Sequence, residues 1–148
     1  SLADAGLDVL GASAATWGDR VVIDSFVVSS AKRPSARELS LAIETRLRED
    51  LPARPLSGAQ VQFDNSLLPW HTSCTVEVED RPGVLAAITT AFAVAGVEVH
   101  SARIGSSHGR ARDRFSLSLR DGAKLDEPTM DRIRRALAGE LRTRGRRR

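Results

Sequence analysis

Six residues, Asp80-Arg81-Pro82-Gly83-Val84-Leu85, stand where an alternation of apolar and polar residues gives way to helical spacing. Before them, Cys74, Val76 and Val78 alternate with Thr75, Glu77 and Glu79, the period of a strand with one buried face. After them, Val84, Ile88, Ala91, Phe92 and Ala95 recur every three or four residues, so the chain enters a helix that buries one side. Gly96 is the residue type that ends such helices. Residues 97–104 and 112–119 then predict two strands around a polar turn from Gly105 to Gly109. Asp126 predicts the cap of a last helix, with Pro128 in its first turn and Met130, Ile133, Leu137 and Leu141 on its apolar stripe. The order is β-α-β-β-α.

The first part of the chain carries a partial copy of this unit. Ala5-Gly6-Leu7-Asp8-Val9 matches Ala95-Gly96-Val97-Glu98-Val99, and Asp24-Ser25-Phe26 matches Asp113-Arg114-Phe115 at nearly the same offset. A capping box, Ser35 with Glu38, then opens a helix with Leu39, Ile43 and Leu47 on one stripe. Residues 60–64 have the length and alternation of a strand that completes this first unit. The expected organisation is a first unit at 1–65 lacking its first strand and most of its first helix, a linker at 66–73, a second unit at 74–141 and a basic tail at 142–148. The fold class is α+β: antiparallel sheets, each covered by helices on one face. A four-stranded unit leaves open edges, so the two lobes, or two chains, are expected to pair.

Charge and cysteine usage narrow the function classes. Five of the last seven residues are arginine, and subtracting them from the formal charge of +3 leaves −2. Attraction to nucleic acid or acidic lipid would therefore reside in the tail, whose plain reading is a solvated end. The one cysteine, Cys74, cannot form an internal disulfide and by parity faces a core. A reducing cytoplasm is the expected compartment. No apolar run reaches the roughly 20 residues that span a bilayer, and no signal-peptide pattern opens the chain. No phosphate loop, nucleophile elbow or His/Cys/Asp cluster with metal spacing is present, so neither a catalytic residue nor a metal ligand is assigned.

The strand-to-helix junction is the candidate binding site. A helix start offers backbone N–H groups and the positive end of a dipole, which suit a carboxylate. Gly83, Val84 and Leu85 supply them, Gly83 lets a ligand approach the backbone, and Pro82 fixes the entry angle. Asp80 either caps the helix or meets an ammonium group. The switch of apolar parity from Val97 and Val99 to Ala102 and Ile104 predicts a bulge near His100-Ser101, which brings those two residues into the candidate site. The same switch, from Leu7 and Val9 to Ala12 and Ala14, predicts a bulge in the first copy.

Residues 76–119, through Asp80-Arg81-Pro82-Gly83, Val99-His100-Ser101-Ala102 and Asp113-x-Phe115, resemble the last ACT domain of the bacterial bifunctional PII uridylyltransferase/uridylyl-removing enzymes. Residues 61–78, centred on Phe63-Asp64-Asn65, resemble the junction between that family's two ACT domains. The resemblance implies tandem ferredoxin-like βαββαβ units downstream of nucleotidyltransferase and HD phosphohydrolase domains. It implies a glutamine sensor, in which glutamine favours removal of nucleotide from the PII signalling protein and its lack favours transfer. The sensing positions it implies are Asp80, Arg81, Pro82, Gly83, Val84, Leu85, His100 and Ser101. No cofactor is implied for this region, Mg2+ being expected only in the upstream catalytic domains. The partners implied are glutamine or another small amino acid and PII, with no membrane or nucleic acid. Two other classes stay open: an ACT sensor of another amino-acid enzyme or regulator, and a nucleic-acid- or protein-binding module built on the basic tail.

Overall fold

The computed structural model describes residues 7–17, 21–31, 33–48 and 55–141; the basic tail, 142–148, lies outside them. Ten elements follow in order: β1 (Asp8–Trp17), β2 (Val21–Ser29), α1 (Ala36–Arg48), β3 (Gln60–Asp64), β4 (Thr72–Glu79), α2 (Val84–Ala95), β5 (Glu98–Arg103), β6 (Ser106–Ser107), β7 (Arg110–Ser118) and α3 (Glu127–Leu137).

Five strands make the main sheet, antiparallel in the order β3-β4-β7-β5, with the short β6 also on β7. On one face, Cys74, Val76 and Val78 of β4 and Phe115 and Leu117 of β7 pack with Ile88 and Phe92 of α2 and Met130, Ile133 and Leu137 of α3. The Phe92 and Phe115 rings meet edge to face, 4.9 Å apart. Cys74 is wholly buried, and burial pushes its thiol up to about 12, which keeps it a neutral core residue.

The expected helix signals are in place. Asp126 caps α3 by accepting from Thr129 N–H at 2.9 Å, and Gly96 ends α2 in the left-handed region. Ser35 and Glu38 form the reciprocal capping box of α1, Ser35 N–H donating to Glu38 Oε2 at 2.7 Å and Glu38 N–H to Ser35 Oγ at 3.2 Å. Both predicted bulges occur: the β5–β7 register shifts between Val99 and Ser101, at His100, and the β1–β2 register shifts between Val9 and Gly11, at Leu10. β1 runs beside β5.

The expectation that residues 60–64 complete the first unit is corrected. β3 pairs with β4 from Gln60↔Glu77 to Asp64↔Ser73, on the outer edge of the main sheet. The reason lies in the turn that follows. Asp64 Oδ1 accepts from Ser66 N–H and Leu67 N–H, folding the chain back on itself. Buried Thr72 then donates to Asn65 Oδ1 at 2.6 Å and accepts from Leu125 N–H at 2.8 Å. Thr72→Val removes both bonds and leaves Leu125 N–H unpaired in the core, so we expect a loss of about 1–3 kcal/mol in urea unfolding.

Candidate functional site

β4 delivers Asp80 at its end, and the chain turns through Pro82-Gly83 into α2. Gly83 is the N-cap residue, with φ 90° and ψ 1°, and no side chain caps the helix. A Cβ there would meet nothing within 4 Å, so it is the left-handed backbone, and not crowding, that requires glycine. The space above this helix start is open. Val84 is buried, and its N–H already donates to Arg81 O at 3.3 Å; Leu85 packs against the core, so it offers a ligand its backbone only.

Asp80 is not the helix cap. Its N–H donates to Gly109 O at 2.9 Å, and its carboxylate accepts from the Ser106 hydroxyl. Arg81 reaches away, its guanidinium donating to Pro55 O at 2.9 Å. Ser106 is held in place by the β6–β7 hairpin, whose two-residue turn, His108-Gly109, has positive φ at both positions. One residue before it, Gly105 N–H donates to Asp113 Oδ1 at 3.2 Å.

Asp113 is 1 % exposed, on the core-facing side of β7 between Ala111 and Phe115. Burial, and then the nearby Asp80 charge, raise its carboxyl to about 6 against the lowering effect of the Gly105 bond. The sequence reading assigned this site neither Ser106 nor Asp113. The signal for Asp113 was present: it shares the inward parity of Ala111, Phe115 and Leu117.

His100 and Ser101 are not beside this loop in their own sheet. Ser101 is level with Ser116, and Ser116 with Ser73. Asp80 lies seven residues further along β4, roughly 23 Å at 3.3 Å per residue. The bulge turns His100 instead onto His71, their rings stacked 3.8 Å apart and 6° from parallel. Each imidazole is anchored by a serine, His100 Nε2 to Ser118 Oγ at 2.7 Å and His71 Nδ1 to Ser116 Oγ at 2.9 Å. Burial, followed by the charge of His100, holds His71 below the ordinary histidine range. Ser101 is exposed.

A cavity of about 400 Å³ between residues 56–61 and the end of α3 is lined by none of the candidate residues. Among the described residues, no three His, Cys, Asp or Glu side chains are grouped to hold a metal ion. No described helix is long and apolar enough to cross a membrane.

Residues 72–138 match the ACT domain family. They hold β4, α2, β5, β6, β7 and α3, and β3 occupies the edge next to β4 from ahead of the matched region. Three relatives carry the name bifunctional uridylyltransferase/uridylyl-removing enzyme. The protein of Aliivibrio fischeri strain ES114 is 31% identical over 63% of this chain and 11% of its own length. That of Nitrobacter winogradskyi is 29% identical over 91% of this chain and 17% of its own. That of Rhodospirillum rubrum is 27% identical over 95% of this chain and 18% of its own. The chain thus spans less than a fifth of these relatives. No solved structure matches. Residues 72–138 thus match the ACT domain family, within a chain similar over most of its length to part of the bifunctional uridylyltransferase/uridylyl-removing enzymes.

Proposed function

We propose that this chain is the amino-acid-sensing region of a PII-modifying nucleotidyltransferase, with glutamine as the ligand bound at the Asp80 loop. The observation that carries the reading is a helix start that no side chain caps, with the Asp80 carboxylate three residues ahead of its glycine. The backbone N–H groups of the first turn complement a carboxylate, and Asp80 complements an ammonium. An α-amino acid presents both charges a few ångströms apart.

The reading includes a tandem arrangement. The order β1-β2-α1 repeats as β5-β7-α3, with bulges at Leu10 and His100, ninety positions apart. In a pair of such units joined through β1 and β5, the bulged strand of one reaches the loop of the other, and His100 and Ser101 act on a neighbouring unit. The β2 edge carries Phe26, Val27 and Val28, all exposed, and is the place for a further strand or a second chain. Glutamine bound between units favours one relative arrangement by its differential affinity for the two. Through the parent enzyme, in the cytoplasm, that arrangement selects transfer of nucleotide to PII or its removal.

Isothermal titration of the chain tests the ligand. Glutamine is expected to bind at least tenfold more tightly than glutamate or serine, and Asp80→Ala to abolish the heat signal. Equal affinity for all three, or undiminished binding by the Asp80→Ala protein, contradicts the reading.

A further inference from the structure

Asp113 is a buried charge on a core face, and the ligand reading above does not use it. Its neighbours on that face are apolar: Val76 stands opposite it on β4, and Ala111 and Phe115 flank it on β7, all three buried in the core. The charged neighbours of its own strand, Arg112 and Arg114, are exposed and of the opposite parity, and Glu77 of β4 pairs with Arg110 on the other face. The titratable group that reaches Asp113 is Asp80. Between the two lie consecutive residues, Gly105 bonded to Asp113 and Ser106 bonded to Asp80.

We propose that Asp113 is the positioning residue of the Asp80 loop: by holding Gly105 N–H it sets Ser106, and Ser106 aims the Asp80 carboxylate. The strut has a polar contact at each end and two adjacent residues as its body. A shift of Gly105 therefore moves Ser106 with it, and the Asp80 carboxylate loses the Ser106 hydroxyl. The proposal rests on the amino-acid-sensing reading only for its consequence. Because the strut holds an acid that burial raises to about 6, beside another carboxylate, the aim of Asp80 follows pH. A bound ammonium favours the ionised form of Asp113, so ligand binding releases protons and tightens as pH rises through about 6.

The test follows backbone amide resonances of the ¹⁵N-labelled chain, without ligand, from pH 4.5 to 8. Gly105, Ser106 and Asp80 are expected to shift together with one midpoint near 6, and Asp113→Asn to remove that step from all three while other resonances stay in place. Asparagine keeps an acceptor for Gly105 and loses the titration, which a purely structural role would not register. Ser106→Ala is expected to leave the step at Gly105 and erase it at Asp80. A step at Gly105 that Asp80 does not share, or a common step that survives Asp113→Asn, overturns the proposal. Since no ligand is present, the result stands apart from the glutamine reading. Titrating glutamine afterwards, with a tenfold gain in affinity expected between pH 5 and 7 in the parent and none in Asp113→Asn, tests the consequence.

Discussion

A chain cut immediately before Thr72 is expected not to fold, whereas one cut before Pro55 keeps the main sheet. Residues 55–71 are outside the segment that matches the ACT family, yet they cover the β4 edge with five paired residues, Gln60 to Asp64. They also bring Leu56, 3 % exposed, into the core, with Val61 and Phe63 packed against it. Leu56 N–H donates to Leu137 O at 2.9 Å, fixing this segment to the end of α3. Without it, β4 presents an open edge and α3 an uncovered apolar end, in a unit small enough that such losses are not absorbed. Leu56→Ala in the full chain isolates the packing part. It is expected to cost about 2–5 kcal/mol in chemical denaturation, the range for a buried leucine truncated where neighbours cannot collapse. A chain beginning at Thr72 that unfolds cooperatively, or a Leu56→Ala loss below about 1 kcal/mol, would show that the segment only lies against a self-sufficient domain.

The second large effect is a gain in stability. Asp113→Asn is expected to raise the unfolding free energy above pH 7 by up to about 3 kcal/mol, following from a carboxyl raised from 3.8 to about 6 at 1.36 kcal/mol per unit. The sign follows from linkage. The native state holds this proton more tightly than the unfolded chain, so the associated stability is complete below about pH 4 and is lost as pH rises through about 6. The asparagine variant, neutral throughout, escapes that loss. Its advantage is expected in full at pH 7.5 and to vanish near pH 4. Thermal unfolding at the two pH values reads it directly. A variant less stable than the parent at pH 7.5 would mean that ionised Asp113 is stabilised by a contact stronger than the Gly105 bond.

Much of the fold was legible because its signals are local. The alternation of residues 74–79, the stripe of α2, the Asp126 cap and the Ser35-Glu38 box each involve residues within a turn or a few strand positions of each other. Even the bulges were readable, since an inserted residue reverses which parity is apolar, and Val99 to Ala102 and Val9 to Ala12 record that reversal. Which sheet residues 60–64 join was not legible. Their alternation specifies a half-buried strand without naming its partner, and the choice depends on the distant contacts of Asn65 and Thr72 with Leu125.

The candidate site divides along the same line. Gly83 was readable as the backbone opening of α2 because the requirement sits in one residue. The sequence leaves Asp80 open to capping or ligand binding, and what decides against capping is Ser106, twenty-six residues later. A bulge re-aims side chains, and from sequence alone that points His100 toward the loop. The register shows its partner to be His71, from a segment to which the sequence reading gave no role. In the sequence Asp113 marks the internal repeat, while its inward parity, visible in the same strand, is what makes it chemically unusual.

An amino acid seated on the open start of α2 would perturb the backbone there. Mapping the backbone amide shifts of the ¹⁵N-labelled chain on addition of glutamine tests it most directly. The largest changes are expected at residues 80–86 and 105–106, and they are expected to be lost in Asp80→Ala. Changes confined to the cavity between residues 56–61 and α3, or shifts at the helix start that persist in Asp80→Ala, would contradict it.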